Sequence, residues 1–504
     1  MLADKRRQIV RLFAWAVFVL SFTNALYFVL RTTNPVISSD AWYFLDVFVR
    51  KALNGTLTFA DFFVRRRGLD HAQPMFKAIL WAELRYFDLD FSLEAIVGVL
   101  AAALCALMIR FFLMPKSGAG PTHAYNELAW ASICAVIFSL NATEIWTWSL
   151  VTMEYLTLVP ILVFWGVLWH ALNHKRYVLL GGVTLWLGAV DDDSAVITVV
   201  AGLMALGILL LVDHRRRDRG VWTLLLVVVL SMVVIRTCYM FAPLVRGIPK
   251  FPLPHYLGLL VDHLHAGDVW SWFATPLVQS MVMSSHFKML VDASWTGMEV
   301  TIALALVAAH GWFWWKAARA PYNLPIFISV CLMLLYYGWL GGILVFRVTT
   351  YGDHYLEQGR YVLRYQLNLF ALLMMMAGVC QRKDRPKLER NSIRRWVPAC
   401  GCVTLLLLQI PLSTEAWRSR PYILAYYHRA AVQLRQLAKD PEETAGCPPD
   451  LDVCAEPLAL RKQSLALLGD HHLNVFSQRV QHWHSFLPKG NESAEFDSTG
   501  VHIR

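Results

Sequence analysis

Ala195–Val212 reads AVITVVAGLMALGILLLV, Asp213–Gly220 reads DHRRRDRG, and Val221–Phe241 reads VWTLLLVVVLSMVVIRTCYMF. Each apolar run is close to the roughly 20 residues that a helix needs to cross a bilayer's hydrocarbon core. The arginines between them mark a cytoplasmic turn, because short loops rich in Lys and Arg stay on that side. The same alternation repeats in both directions along the chain. Eleven apolar runs are legible: Val10–Leu30, Leu93–Leu113, Leu128–Leu140, Tyr155–His170, Tyr177–Val190, Ala195–Val212, Val221–Phe241, Met298–Lys316, Leu324–Val348, Val362–Cys380 and Trp396–Leu412. The first is too long for a cleaved signal, and no small-residue cleavage site follows it.

Composition agrees. Of 504 residues, 57% are hydrophobic and 16% charged, against about 25% charged in soluble domains. The 20 Trp and 27 Phe exclude a disordered chain. The net charge of +10 concentrates in Lys5-Arg6-Arg7, Lys116, His174-Lys175-Arg176, Arg215–Arg219, Lys316 with Arg319, and Arg382 to Arg395. With eleven spans, all six segments fall on one side, which the positive-inside rule makes cytoplasmic. The expectation is an all-α polytopic protein of a bacterial inner membrane, N-terminus cytoplasmic and C-terminus periplasmic. Residues 1–412 form its transmembrane domain, with outer loops at 31–92 and 242–297, and residues 413–504 form a small helical outer domain.

The first outer loop carries two short aromatic-rich segments, one after Ser38-Ser39-Asp40 and ending near Gly55, the other from Pro74 to Phe87. Both have helical spacing and are too short to span, so they are expected to lie in the interface. His255 to His265 in the second loop is amphipathic. Arg65-Arg66-Arg67 sits on the outer side, where a phosphate or headgroup contact and a solvated loop face are both open readings. Seven cysteines lie in or beside apolar runs and read as small hydrophobes, Cys400-Gly-Cys402 included. Cys447 and Cys454 flank a short proline-containing loop on the oxidising side, and a disulfide is expected there.

Ionisable residues at membrane depth are costly and point to function. Arg236, Glu299, Arg347, Arg360 and Arg364 sit near the outer ends of spans, with Asp40, Glu144, Glu154 and Asp191-Asp192-Asp193 at outer turns. A transporter would place such groups near the midplane, between related halves. Charge at the outer interface suits a reaction on lipid headgroups. Group transfer there needs a donor already carried across on lipid, of which a polyprenyl-phosphate sugar is the obvious case. That chemistry requires a carboxylate base, cationic groups for the departing phosphate and an apolar groove.

The plan resembles the GT-C superfamily of polyprenyl-linked glycosyltransferases, which includes oligosaccharyltransferases, protein O-mannosyltransferases and lipid A aminoarabinose transferases. The resemblance rests on the long first outer loop and on Asp40 in Val36-Ile37-Ser38-Ser39-Asp40-Ala41-Trp42-Tyr43. Asp70-His71-Ala72-Gln73-Pro74 and Gly359-Arg360-Tyr361 with Arg364 add to it. It implies inverting sugar transfer from a polyprenyl-phosphate donor to a glycan, lipid or protein acceptor. Asp40 is then the general base, with Asp70 and His71 near the acceptor, and Arg66, Arg236, Glu299, Arg360 and Arg364 around the lipid phosphate. The family's second acidic motif has no clean counterpart. Asp191, Asp192 and Asp193 match it by location only, as ligands for Mg²⁺ or Mn²⁺ or simply as the water boundary and cap of the next helix. Membrane lipid is an expected partner; nucleic acid is not. The competing readings are an undecaprenyl-diphosphate-glycan polymerase or ligase, a lipid-linked-glycan flippase or transporter, and a scaffold binding through its tail.

Overall fold

The computed structural model describes residues 2–64, 72–114, 122–213, 219–241, 253–266, 269–283, 295–380, 393–445, 447 and 451–488. Every regular element among them is helical. Among the described residues, nine helices are long and apolar enough to cross a membrane, and Tyr177–Asp191 is a shorter apolar one. The principal helices are α1 (Leu2–Thr32), α2 (Pro74–Tyr86), α3 (Ser92–Met108), α4 (Thr122–Ile137), α5 (Glu154–His174), α6 (Tyr177–Val212) and α7 (Arg219–Phe241). They continue with α8 (Leu253–Ala266), α9 (Val269–Met281), α10 (Trp295–Arg319), α11 (Leu324–Ile343), α12 (Val362–Cys380), α13 (Ile393–Lys439) and α14 (Leu458–Asp470).

The sequence places a turn at Asp191-Asp192-Asp193, and the chain reverses there, with helix on both sides of the turn inside Tyr177–Val212. Tyr177 adjoins the end of α5, whereas Asp191 lines a cavity with Glu154 at its start. Farther on, Trp165 Nε1 donates to the Thr198 carbonyl at 3.2 Å, and a Cβ on Gly202 would lie 3.2 Å from Leu168. A straight helix would carry Gly202 about 17 Å beyond Asp191, away from Leu168. Instead the two halves of α6 run antiparallel.

Aromatic contacts and close approaches set the register of the bundle. Trp15 packs on Trp130 at 4.9 Å between centroids, aligning α1 with α4. Gly98 allows α3 to touch the Thr152 backbone, where an added Cβ would stand 2.4 Å from the carbonyl oxygen. Asn323 caps α11 and donates to the Gly378 carbonyl at 3.0 Å, pairing α11 with α12 antiparallel. Arg110 and Glu127 pair at this same end, termed here the basic end.

The opposite, tail end departs from the sequence boundaries. Helix α13 continues unbroken past residue 412 to Lys439, so the tail begins inside a spanning helix. Beyond the bundle it shares one apolar core with the first loop. Val36, Ile37, Trp42, Phe48, Leu80 and Leu89 pack with Ala431, Leu434, Leu465, Leu468 and Val475. Cys447 and Cys454 are disulfide-bonded, with Cα–Cα 6.4 Å. Arg461 braces that region by donating to the carbonyls of Val453, Pro441, Cys454 and Glu456.

Candidate functional site

Two neighbouring cavities open at the tail end. The larger is about 190 Å³. Asn34 and Ser38 reach it from the segment after α1, and Tyr427 from α13. Its remaining wall is Thr143, Glu144, Thr147 and Trp148, from the connection between α4 and α5. That connection is two short helices, Thr143–Thr147 and Ser149–Thr152, broken at Trp148. Thr152 Oγ1 holds the break by donating to the carbonyls of Ile145 and Trp148, and Tyr155 OH donates to the Ile137 carbonyl at 2.8 Å.

The smaller cavity is about 50 Å³. It lies between Glu154 and Thr157 of α5, Asp191 and Ser194 of α6, Trp339 of α11 and Arg364 of α12. Arg364 donates to Glu154 Oε1 at 2.7 Å, a pair that keeps 27% and 21% side-chain exposure.

Arg360 stands between the two cavities, in the 3₁₀ turn Gly359–Tyr361 that opens α12. Its guanidinium lies over Trp148 at 5.8 Å, Tyr355 at 5.1 Å and Tyr361 at 5.3 Å, and it donates to Tyr355 OH. Arg364 covers the same Tyr361 ring at 5.4 Å and Trp339 at 5.0 Å. The two arginines therefore share one tyrosine as a platform. Among the described residues, Arg360 has no carboxylate partner, and the Nε of each arginine finds no hydrogen-bond acceptor. A half-buried guanidinium held only by rings and a phenol keeps donors for an anion, and guanidinium geometry suits phosphate. Gly359 leaves room at this turn. A Cβ on it would stand 2.7 Å from Glu144 Oε2, so glycine lets that carboxylate approach the turn carrying Arg360.

Of the residues singled out by sequence, Arg360, Arg364 and Asp191 come together. The Asp40 backbone lies in the 3₁₀ turn Ser39–Trp42, two residues beyond Ser38 of the larger cavity, and its side chain lies outside what the structure describes. Arg66, Asp70 and His71 lie outside the described residues, as do the side chains of Asp192 and Asp193. Arg236 stacks on Tyr239 at 5.8 Å and lines neither cavity. Glu299, in α10, lines neither cavity either. The wall residues Glu144, Trp148 and Glu154 and the aromatic partners Trp339, Tyr355 and Tyr361 belong to the site, although the sequence singled out none of them for binding. For Glu144 and Glu154 the available signal was their position at the outer turn.

Among the described residues, no three His, Cys, Asp or Glu side chains gather as a metal site. Asp191 is already within electrostatic reach of Arg364, a poor setting for a divalent cation. Comparison of the chain with protein-family models, curated proteins and solved structures finds no match.

Proposed function

We propose that the protein is a membrane glycosyltransferase that moves a sugar from a polyprenyl-phosphate donor to an acceptor at the outer face. The observation that carries this reading is Arg360, a half-buried cation without a carboxylate partner among the described residues, set between a hydroxyl-rich cavity and the Arg364–Glu154 pair. Removing charge from water is expensive unless a counter-charge is supplied. A lipid phosphate entering from the bilayer supplies it. The neighbouring cavity, lined by Asn34, Ser38, Thr143, Glu144 and Trp148, offers hydrogen bonds and an aromatic face to a sugar.

The reaction is an inverting displacement. The acceptor hydroxyl oxygen bonds to the anomeric carbon as the carbon–oxygen bond to phosphate breaks. The electron pair leaves with the phosphate, steadied by Arg360 and Arg364, and the hydroxyl proton passes to Asp40. In this reading the chain crosses a bacterial inner membrane eleven times, the two halves of α6 counting separately and α4 included. The basic end faces the cytoplasm, and the tail and cavities face outward.

The test is transfer in proteoliposomes charged with labelled polyprenyl-phosphate hexose or pentose and an envelope extract as acceptor. The reading predicts new glycosidic bonds, and near-complete loss of them in Asp40→Asn at normal expression. Lipid crossing the bilayer without bond formation would assign a flippase instead. Transfer that survives Asp40→Asn would remove Asp40 as the base and favour a polymerase or ligase.

A further inference from the structure

The tail reaches past its shared core with the first loop and into the wall of the larger cavity. Tyr427 contributes a side chain directly. Asn474 contributes more. It is fully buried, and it sits at φ +54°, a left-handed conformation that Asn tolerates better than most residues. Its Nδ2 donates to the carbonyls of Pro35 at 2.7 Å and Leu89 at 2.6 Å. Its Oδ1 accepts from the Ile37 amide at 3.1 Å, and its own amide donates to the Asp88 carbonyl at 2.7 Å. One side chain thus joins the end of the first loop to the backbone at 35–37.

That backbone is the span between the cavity's Asn34 and Ser38. Two other ties hold its near end: Asn34 N donates across to the Thr147 carbonyl at 3.1 Å, and Asn34 Oδ1 accepts from Val36 N at 2.9 Å. Among the described residues, no other tail side chain donates to or accepts from the backbone of this span. Ser477 and His484 reinforce the dock at a distance, through Asp88 at 2.8 Å and Asp90 at 2.9 Å.

We infer that the tail is part of the functional site and that Asn474 is a positioning residue. It fixes the 35–37 backbone and, through it, Asn34, Ser38 and the turn bearing Asp40. The geometric half of this inference stands by itself. The catalytic half rests on the reading of Asp40 given above.

The test uses the full chain carrying Asn474→Gly, which keeps the left-handed backbone and removes only the side chain, and Asn474→Asp, which removes both donors. Amide exchange over 34–40 should accelerate about tenfold or more in both variants, with α4 amides unchanged. In the transfer assay kcat should fall about tenfold or more, while binding of polyprenyl phosphate alone stays within about twofold. Unchanged exchange at 34–40 overturns the latch, whatever the protein's activity. Faster exchange with unchanged kcat overturns its role in the site. A wild-type protein with no transfer activity overturns the proposed function, and the exchange experiment still decides whether the latch exists.

Discussion

Two Arg–Glu pairs stand at opposite ends of this bundle, and they do different work with the same groups. Arg110 and Glu127 form the pair at the basic end, with Arg110 over Trp130 at 5.5 Å. Glu127 is fully buried and the Arg110 side chain is 13% exposed. Arg364 and Glu154 form the pair at the tail end, also with a Trp beneath the guanidinium, but both line a cavity and both keep about a quarter of their surface. Beside Arg364 stands Arg360, over the same Tyr361 ring. A sealed pair holds helices in register. On the proposed reading, an open pair beside a cation with no carboxylate partner among the described residues is the one that would change partners.

Removing one charge separates the two roles. Glu127→Gln leaves a buried arginine without its counter-ion, and breaking such a pair costs about 3–5 kcal/mol. The expected result is the largest loss of thermal stability of any single site here, read as a lowered Tm in detergent. Glu154→Gln breaks a partly exposed pair, for which about 1 kcal/mol is the relevant scale. Its Tm should hardly move. Its affinity for polyprenyl phosphate should rise several-fold in a titration, because the anion competing for Arg364 is gone. A Glu154→Gln protein as unstable as Glu127→Gln would erase the distinction between the two ends.

A smaller effect is expected from Glu83, beneath the tail. Burial, with Glu94 and Asp90 nearby, holds its carboxyl well above the usual carboxylate range. A carboxyl with a raised folded-state pKa contributes stability below its unfolded value, near 4.5. That contribution is lost as the pH rises toward the folded value. Glu83→Gln should therefore melt like wild type near pH 4 and above wild type at pH 8. Melting curves across that range check the sign; equal curves at both ends would mean that Glu83 ionises freely.

Some of this organisation was legible in the sequence. Apolar runs and basic turns expose the spanning helices because bilayer thickness and charge bias act locally along the chain. Arg360 and Arg364 stood out because charge at the end of an apolar helix is costly wherever it occurs. Their environment did not stand out. Glu154 meets Arg364 across 210 residues of sequence, and no local pattern announces such a pair. The reversal at Asp191 was legible, because three acids beside a serine read as a turn and cap, and the chain does turn back there. Asn474 was invisible: an asparagine in a polar tail looks like solvated surface until Pro35, Ile37 and Leu89 close around it.

The most direct measurement is of lipid retained by the purified protein. Native mass spectrometry after delipidation and back-titration with polyprenyl phosphate should show a bound adduct on the wild type. The adduct should be strongly reduced in Arg360→Gln and nearly absent in Arg360→Gln/Arg364→Gln, yet preserved in Arg110→Lys, which keeps the sealed charge. Adducts of equal intensity on wild type and the double variant, or loss in Arg110→Lys alone, would contradict a phosphate site at the tail end.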